Sequence, residues 1–347
     1  MYTNNLKKVN FILSGVYIEI TSNCNLRCKH CYNSSGINNF NIKKEKLEMI
    51  ISELEKSGAN NLVLSGGEPF LHEDFWDILE SLKNKKLNIT LVTNATLINF
   101  DIAKKLSKYN INIQISLDGS TAEIHDSIRG KKAFSQSIDG INNLMKFNMS
   151  DKIIINYVIN KYNKNDIESV VKLITDLNLN TIKFKLMLPF GRGKANINIL
   201  SLNTKEIRKV FNDFNEIKKK YNQVNLSISQ VTHGCPITNK NEDIVKLNIR
   251  IDSKGDVYPC QLFESKKVFS IGNIHLQSID SMLNSEKIYK LREFLISMHD
   301  YNEHCDKCLW NMECEKSCPA ITISNGVIDM YDSLCVFRKE AFSYKFD

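Results

Sequence analysis

The chain contains the stretch Cys24-Asn25-Leu26-Arg27-Cys28-Lys29-His30-Cys31, in which three thiols lie within eight consecutive residues. Soft thiolates at this density favour zinc or an iron–sulfur cluster. Three ligands instead of four leave one metal position open, which is typical of a catalytic centre and not of a structural one. Two other interpretations stay open from the spacing alone: a zinc site with its fourth ligand elsewhere, for which His30 is adjacent, and buried cysteines without a metal.

Around this stretch, from about residue 15 to residue 190, short β-rich runs alternate with amphipathic helical windows. The predicted strands are Gly15–Thr21, Asn61–Ser65, Asn88–Thr93, Ile111–Asp118, Lys152–Asn160 and Thr181–Leu188. The predicted helices are Lys43–Ser57, Asp74–Asn84, Phe100–Lys108, Ser135–Phe147 and Asn165–Asn178, with cap signals at Asn99, Ser135 and Asn165. This alternation predicts parallel strands joined by right-handed crossovers, and its six units predict an α/β fold, a partial (β/α)6 barrel of the TIM type.

In such barrels the chemistry lies at the carboxyl ends of the strands. The unusual polar and glycine-containing elements of this chain follow successive strands: the three thiols, Ser65–Pro69, Thr93-Asn94, Ser116 with Asp118, Asn160 and Pro189–Gly193. We therefore expect all of them on one face of the barrel.

This stretch resembles the radical S-adenosylmethionine (SAM) superfamily in its thiol spacing, in the aromatic Tyr32 that follows the thiols and in its place after the first strand. The resemblance covers residues 15 to about 193. The resemblance implies that Cys24, Cys28 and Cys31 hold a [4Fe–4S] cluster whose open iron binds SAM. Reductive cleavage of SAM would then give a 5′-deoxyadenosyl radical that abstracts hydrogen from a substrate. The resemblance also implies SAM contacts from Gly66, Gly67, Glu68, Ser116, Asp118, Arg129, Asn94 and Asn160. The sequence does not indicate which residue serves as a catalytic base.

Seven further cysteines lie between Cys235 and Cys335. A zinc ribbon is one interpretation of Cys305-x2-Cys308. Their order resembles the SPASM extension, over residues 231 to 340, and this resemblance implies two auxiliary [4Fe–4S] clusters. One would be held by Cys305, Cys308, Cys314 and Cys335. The other would be held by Cys235, Cys260 and Cys318, with an open iron or a non-cysteine ligand such as His233.

We thus expect a radical SAM core over residues 12–200, a connecting helix over 201–230 and a small cysteine-rich iron–sulfur domain over 231–340.

Most enzymes with this architecture cross-link, oxidise or epimerise ribosomally made peptides, which is the function that the resemblance implies first. The alternatives are modification of tetrapyrrole side chains, for which Lys183 and Lys185 could face propionates, maturation of anaerobic sulfatases, and a non-catalytic iron–sulfur redox protein. Gln261 stands where sulfatase maturases carry an aspartate.

Charge and hydropathy limit the partners. The formal net charge of +7 is spread over Lys-rich and Asn-rich helices, without a basic block interleaved with aromatics, so we expect no nucleic acid. No run approaches about 18 apolar residues and no signal peptide is visible, so we expect no membrane and a cytoplasmic location. A peptide substrate would be bound by the barrel itself or delivered by a separate peptide-recognition protein. A flavodoxin or ferredoxin would supply electrons.

Overall fold

The computed structural model describes residues 9–228, 235–240, 242–300 and 318–320. The chain divides into two compact units. Unit 1 comprises Met1–Glu19, Ile42–Leu62 and Val231–Asp347, and unit 2 comprises Ile20–Asn41 and Val63–Gln230. The predicted ligands His233, Cys305, Cys308, Cys314 and Cys335 lie outside the described residues. The expected domain boundaries stay predictions.

The strands are β1 (Asn10–Thr21), β2 (Asn61–Gly66), β3 (Asn88–Thr93), β4 (Ile111–Ser116), β5 (Ile153–Ile159), β6 (Thr181–Leu186), β7 (Asn225–Ile228), β8 (Ile244–Ile251), β9 (Asp256–Tyr258) and β10 (Gly272–Asn273). The α-helices are α1 (Lys44–Lys56), α2 (Phe75–Leu82), α3 (Phe100–Leu106), α4 (Ala122–Arg129), α5 (Ala133–Met145), α6 (Ile167–Asp176), α7 (Gly191–Ala195), α8 (Ile197–Leu200), α9 (Thr204–Lys220), α10 (Ile279–Leu283) and α11 (Glu286–Asp300). Of the helices in the described part of the chain, none is long and apolar enough to cross a membrane.

Unit 2 is a parallel sheet in which the strands follow the chain order β2-β3-β4-β5-β6-β7. Alternating side chains give each strand two different faces. In β6, Phe184 packs edge-on against Tyr157 of β5 and Phe214 of α9, with ring centroids 5.3 and 5.8 Å apart, so this face is covered by a helix. We call the opposite face of β4 to β7 the polar face, and it carries Ser116, Asn156, Lys183, Lys185 and Ser227.

The six predicted β/α units are present, with bounds that differ by a few residues. The predicted cap Asn99 is confirmed, because its side chain accepts the Ile102 N–H at 2.9 Å. The predicted cap Ser135 is wrong, because α5 begins two residues earlier. The Asp126 carboxylate causes this earlier start by accepting the N–H groups of Lys132 and Phe134 at 2.7 and 2.8 Å.

The sequence analysis missed several short elements of unit 2, among them α4 and β7. Helix α4 begins after Thr121, whose hydroxyl accepts the Ile124 N–H at 3.4 Å, and it is only eight residues long. Strand β7 adds a further parallel strand beside β6. Both are too short to show a clear hydrophobic period.

Unit 1 contains an eight-residue strand, β8, within the segment expected to form the cysteine-rich domain. Strand β8 pairs in parallel with β1, and β9 and β10 follow in antiparallel pairing. The buried Glu19 of β1 and Arg250 of β8 form an ion pair of 2.9 Å, and the Arg250 guanidinium lies 4.5 Å from the ring centroid of Tyr258. The ion pair favours one alignment of β8 against β1. The cost of burying two charges offsets much of the stabilisation that the pair contributes.

Candidate functional site

Residues 22–41 follow β1 and form a segment that we call the cysteine loop. Cys28 is buried, and Cys24 and Cys31 are half-buried. Burial, together with the charges of Glu68, Cys28 and Cys31, raises the pKa of the Cys24 thiol to about 12. The three thiols are therefore neighbours that resist deprotonation unless a cation compensates their charge.

The glycine element after β2 packs against the start of the cysteine loop. The backbone N–H groups of Gly67 and Glu68 donate to the carbonyl oxygens of Thr21 and Asn23 at 2.8 and 2.7 Å. A Cβ atom on Gly67 would lie 2.0 Å from the Asn23 oxygen, and one on Gly66 would lie 2.2 Å from the Thr21 oxygen. The glycines thus permit the cysteine loop to approach the end of β2, whereas their contact with SAM stays a prediction.

Glu68 connects the end of β2 to the end of β3. Its fully buried carboxylate accepts the Thr93 hydroxyl at 2.7 Å and the Asn94 N–H at 2.8 Å. Burial raises the pKa of Glu68 to about 7 against the effect of these hydrogen bonds. The Asn94 amide in turn donates to the Asn25 side chain in the cysteine loop at 3.0 Å. Glu68 and Asn94 are engaged with the protein, and they position the loop.

Asp118 lies two residues beyond β4 and is fully buried. Its Oδ2 atom lies 2.6 Å from both His30 Nε2 and Arg129 Nε, and its Oδ1 atom accepts the Val158 N–H at 2.7 Å. Burial alone would raise the pKa of Asp118, but Arg129 and His30 hold the pKa of this carboxyl well below its usual range. The carboxylate therefore joins the cysteine loop to α4.

Arg129 at the end of α4 also reaches the thiols. Its Nη1 atom lies 3.8 Å from Cys28 Sγ. Burial raises the pKa of the Cys28 thiol, and the Arg129 charge opposes this increase. A guanidinium at this place offsets the negative charge that three thiolates would bring.

The segment after β6 supplies a contact that the residue-level predictions missed. The Arg192 N–H donates to the Cys31 carbonyl, and its side chain donates to the carbonyls of Cys28 and Ser35, each at 2.9 Å. The signal available in the sequence was the glycine pair that flanks Arg192 within Pro189–Gly193, a segment already expected on this face.

The remaining predicted SAM contacts in unit 2 differ in their surroundings. Ser116 is half-buried at the last position of β4, on the polar face. Asn160 is fully buried, and its side chain accepts the Tyr162 N–H and donates to the Val158 carbonyl, both at 3.0 Å. Within the described residues, the side-chain hydrogen bonds of Asn160 therefore lie in its own turn and do not reach the cysteine loop.

Unit 1 brings together the three cysteines predicted for one auxiliary cluster. Burial raises the pKa of Cys235 well above its ordinary value, and the charges of Cys260 and Cys318 raise it further. Burial likewise raises the pKa of Cys260. These thiols are close enough to interact although they are far apart in sequence.

Each of the two sets of three thiols is a donor set that a [4Fe–4S] cluster can take. Among the residues that the structure describes, no three His, Cys, Asp or Glu side chains are arranged to hold one metal ion. Each thiolate of a [4Fe–4S] cluster binds a different iron, so its cysteines surround the cluster without converging on one point. Cys24, Cys28 and Cys31 in unit 2 and Cys235, Cys260 and Cys318 in unit 1 meet this requirement of three neighbouring thiols.

Known protein families match two segments of the chain. Residues 18–174 match the Radical SAM superfamily, and residues 244–309 match SPASM, an iron-sulfur cluster-binding domain. Together with the parallel sheet of unit 2, these matches confirm the predicted fold class.

Curated relatives are similar over different lengths. The antilisterial bacteriocin subtilosin biosynthesis protein AlbA of Bacillus subtilis is 28% identical over 307 residues, 85% of this chain and 65% of AlbA. The mycofactocin maturase MftC of Mycobacterium ulcerans is 31% identical over 177 residues, 50% of this chain and 47% of MftC. The AdoMet-dependent heme synthase of Methanosarcina barkeri is 25% identical over 342 residues, 92% of this chain and 95% of the synthase. The chain thus spans less than two thirds of AlbA and about half of MftC.

Among solved structures, Streptococcus suis SuiB has a similar fold. SuiB bound to S-adenosylmethionine superposes with a TM-score of 0.75 at 18% identity, over 93% of this chain and 77% of SuiB. SuiB bound to its precursor peptide SuiA superposes with a TM-score of 0.74 at 17% identity, over 93% of this chain and 76% of SuiB. At this identity the likeness concerns the fold.

Proposed function

Because the chain belongs to the radical SAM superfamily of enzymes and carries a SPASM iron–sulfur domain, we propose that it cleaves SAM reductively and abstracts hydrogen from a ribosomally made peptide. Its cofactors are [4Fe–4S] clusters and SAM. When bound, the reduced cluster supplies the electron that splits SAM into methionine and the 5′-deoxyadenosyl radical. The observation that carries the proposal is the cysteine loop, which holds three thiols against the ends of β2, β3, β4 and β6.

The chain's own residues would bind the cofactors and exclude water. Cys24, Cys28 and Cys31 would hold the SAM-binding cluster, with Arg129 offsetting the thiolate charge. Asp118 would keep Arg129 and His30 in place. The direct contacts proposed for SAM are the backbone of Gly66 and Gly67 and the side chain of Ser116. We propose that Glu68, Asn94, Asp118 and Asn160 act by positioning, because their polar atoms already bind protein groups.

In unit 1, Cys235, Cys260 and Cys318 would hold one auxiliary cluster. The other, with Cys305, Cys308, Cys314 and Cys335 as ligands, is proposed from the SPASM resemblance, since these residues lie outside the described part of the chain. Two such clusters would either carry electrons away from the radical site or provide a second contact for the substrate.

A peptide substrate is supported by the relatives, of which one acts in subtilosin biosynthesis, one is a mycofactocin maturase, and one has been solved with a precursor peptide. We propose cross-linking, oxidation or epimerisation as the outcome. A separate recognition protein and a flavodoxin or ferredoxin reductant complete the proposal. Ten cysteines proposed to bind clusters suit a reducing cytoplasm, which is the location that we propose.

A second candidate function is favoured by one observation. The AdoMet-dependent heme synthase is matched over 95% of its own length, which is more than for AlbA or MftC. Modification of a tetrapyrrole side chain is therefore the alternative substrate chemistry.

The test is anaerobic reconstitution with iron and sulfide, followed by dithionite, SAM and an assay for 5′-deoxyadenosine. We expect deoxyadenosine from the wild type and none from a variant in which Cys24, Cys28 and Cys31 are replaced by Ala. The matched control replaces Cys235, Cys260 and Cys318 by Ala, which removes the same number of thiols outside the cysteine loop. A cluster-replete wild type that forms no deoxyadenosine would contradict the proposal.

A further inference from the structure

We propose that Lys183 and Lys185 of β6 bind a carboxylate of the substrate on the polar face of the sheet. This inference rests on the proposed function, since it concerns the substrate of the same site. The carboxylate would belong to an acidic residue of a peptide or to the propionate of a tetrapyrrole.

The placement of the two lysines follows from the strand geometry. Lys183 and Lys185 alternate with Phe184, whose ring packs against α9, so both lysines belong to the opposite face. In register, Lys183 lies beside Asn156 of β5, and Asn156 lies beside Ser116 of β4. With about 4.8 Å between strands, Lys183 lies roughly 10 Å from Ser116 along one row.

Lys185 lies two residues nearer the carboxyl end of β6, roughly 6–7 Å further along the strand. It is paired in register with Val158, whose N–H binds Asp118. The cysteine loop is attached to this same end of the sheet through the His30–Asp118 contact. The lysine pair therefore flanks the place where a substrate would meet the radical.

Neither lysine forms an ion pair with a described residue. Within the described residues, the ion pairs of unit 2 that involve lysine use other lysines, and no carboxylate lies within ion-pair distance of Lys183 or Lys185. Burial lowers the pKa of Lys185, and the charge of Lys183 lowers it further. A half-buried cation beside a second cation is unfavourable unless an anion joins them. A ligand carboxylate would offset both the burial of the Lys185 charge and its repulsion by Lys183.

A second polar group, the Asn156 side chain, lies in the same row. Asn156 is 8% exposed, and its Oδ1 atom has no hydrogen-bond partner within the described part of the chain. Buried polar atoms are nearly always hydrogen-bonded. An oxygen with no partner among the described residues, in the same row as Lys183, therefore points to a bound group. A peptide N–H adjacent to the bound carboxylate would satisfy this oxygen.

The experiment uses reconstituted, SAM-loaded protein and two probes. The first probe is a randomised peptide library with blocked termini, from which retained peptides are sequenced. The second is iron coproporphyrin III, titrated by absorbance. The variants are Lys183→Gln with Lys185→Gln, the charge-preserving Lys183→Arg with Lys185→Arg, and the control Lys172→Gln on the exposed side of α6.

We expect the wild type to enrich Asp or Glu in retained peptides, and the double Gln variant to lose that enrichment by about tenfold or more. The double Arg variant and the Lys172→Gln control should retain it. If coproporphyrin binding alone weakens by that factor, the carboxylate is a propionate, and the proposal stands with a tetrapyrrole as its source.

Three results would overturn the inference: no carboxylate-dependent binding of either probe, equal binding by wild type and double Gln variant, or weaker SAM binding in that variant with probe binding retained. The last result would assign the lysines to the carboxylate of SAM itself. Deoxyadenosine formation by the wild type is measured in parallel, so a failure of SAM cleavage is distinguished from a failure of this inference. Iron content and circular dichroism check that the variants fold.

Discussion

The guanidinium of Arg129 lies 2.6 Å from the Asp118 carboxylate, measured from Nε to Oδ2, and the pair is buried. The same carboxylate oxygen lies 2.6 Å from His30, and Arg129 reaches Cys28 at 3.8 Å. One carboxylate therefore holds a helix end, a strand end and the cysteine loop together. This arrangement makes Asp118 a positioning residue for the thiols.

Asp118→Asn should remove the charge that pairs with Arg129 while preserving the shape of the side chain. Breaking a buried pair leaves an uncompensated cation, so we expect the free energy of unfolding to fall by about 3–5 kcal/mol. Anaerobic urea denaturation measures this change. Asp139→Asn on the exposed side of α5 is the control and should have little effect. Wild-type stability and iron content in Asp118→Asn would refute the positioning role.

Gly67→Ala should displace the cysteine loop, because the added Cβ would lie 2.0 Å from the Asn23 carbonyl oxygen. We expect a loss of bound iron at the SAM-binding cluster although all cysteines are intact. Gly58→Ala is the matched control: it has a φ of +73° but no atom within 4 Å of the new Cβ. It should cost about 1 kcal/mol of stability and leave the iron content unchanged. Full iron content in Gly67→Ala would count against this explanation.

The buried His125 should destabilise the fold in acid. Burial lowers its pKa to about 4, with the Arg129 charge contributing, whereas the pKa of an unperturbed histidine is 6.5. Between these two pH values the unfolded chain binds a proton that the folded chain does not, so stability falls as the pH decreases from 6.5 to about 4.

His125→Asn removes this proton uptake and keeps an acceptor for the Asp118 N–H, which donates to His125 Nδ1 at 3.1 Å. We expect the variant to lose less stability than wild type over that pH range, by up to about 3 kcal/mol. Urea denaturation at several pH values measures the difference, with the exposed His275→Asn as control. Identical pH profiles for wild type and His125→Asn would rule out this contribution.

Iron analysis tests the number of clusters. We expect about twelve irons per chain after reconstitution, from three [4Fe–4S] clusters. Replacing Cys235, Cys260 and Cys318 by Ala should lower this to about eight, since a cluster without its thiolates is lost. The variant in which Cys24, Cys28 and Cys31 are replaced should also lose about four irons. A wild type with about four irons, or with zinc in the SPASM domain, would contradict the two auxiliary clusters.

The cofactor class and the order of the strands could be predicted from the sequence, because both depend on local patterns. Thiol spacing in residues 24–31 favours zinc or an iron–sulfur cluster, and its resemblance to the radical SAM superfamily implies the latter. The period of apolar residues separates strands from helices. The element bounds were less predictable where a distant side chain acts as a cap. Asp126 moves the start of α5 ahead of Ser135, and no local pattern of α5 shows this.

By itself, the sequence predicted a parallel α/β fold and, from the thiol spacing and its resemblance to the radical SAM superfamily, an iron–sulfur cluster with an open position after β1. Tertiary structure decided what holds these cysteines, since the partners His30 and Asp118 are 88 positions apart and Cys28 and Arg192 are 164 apart. It also decided that Lys183 and Lys185 share a face with Asn156 and Ser116, and that the glycines after β2 serve first to admit the cysteine loop. The physical reason is that ligand chemistry and hydrophobic period are properties of neighbouring residues, whereas ion pairs, close backbone contacts and shared faces exist only after distant strands have paired.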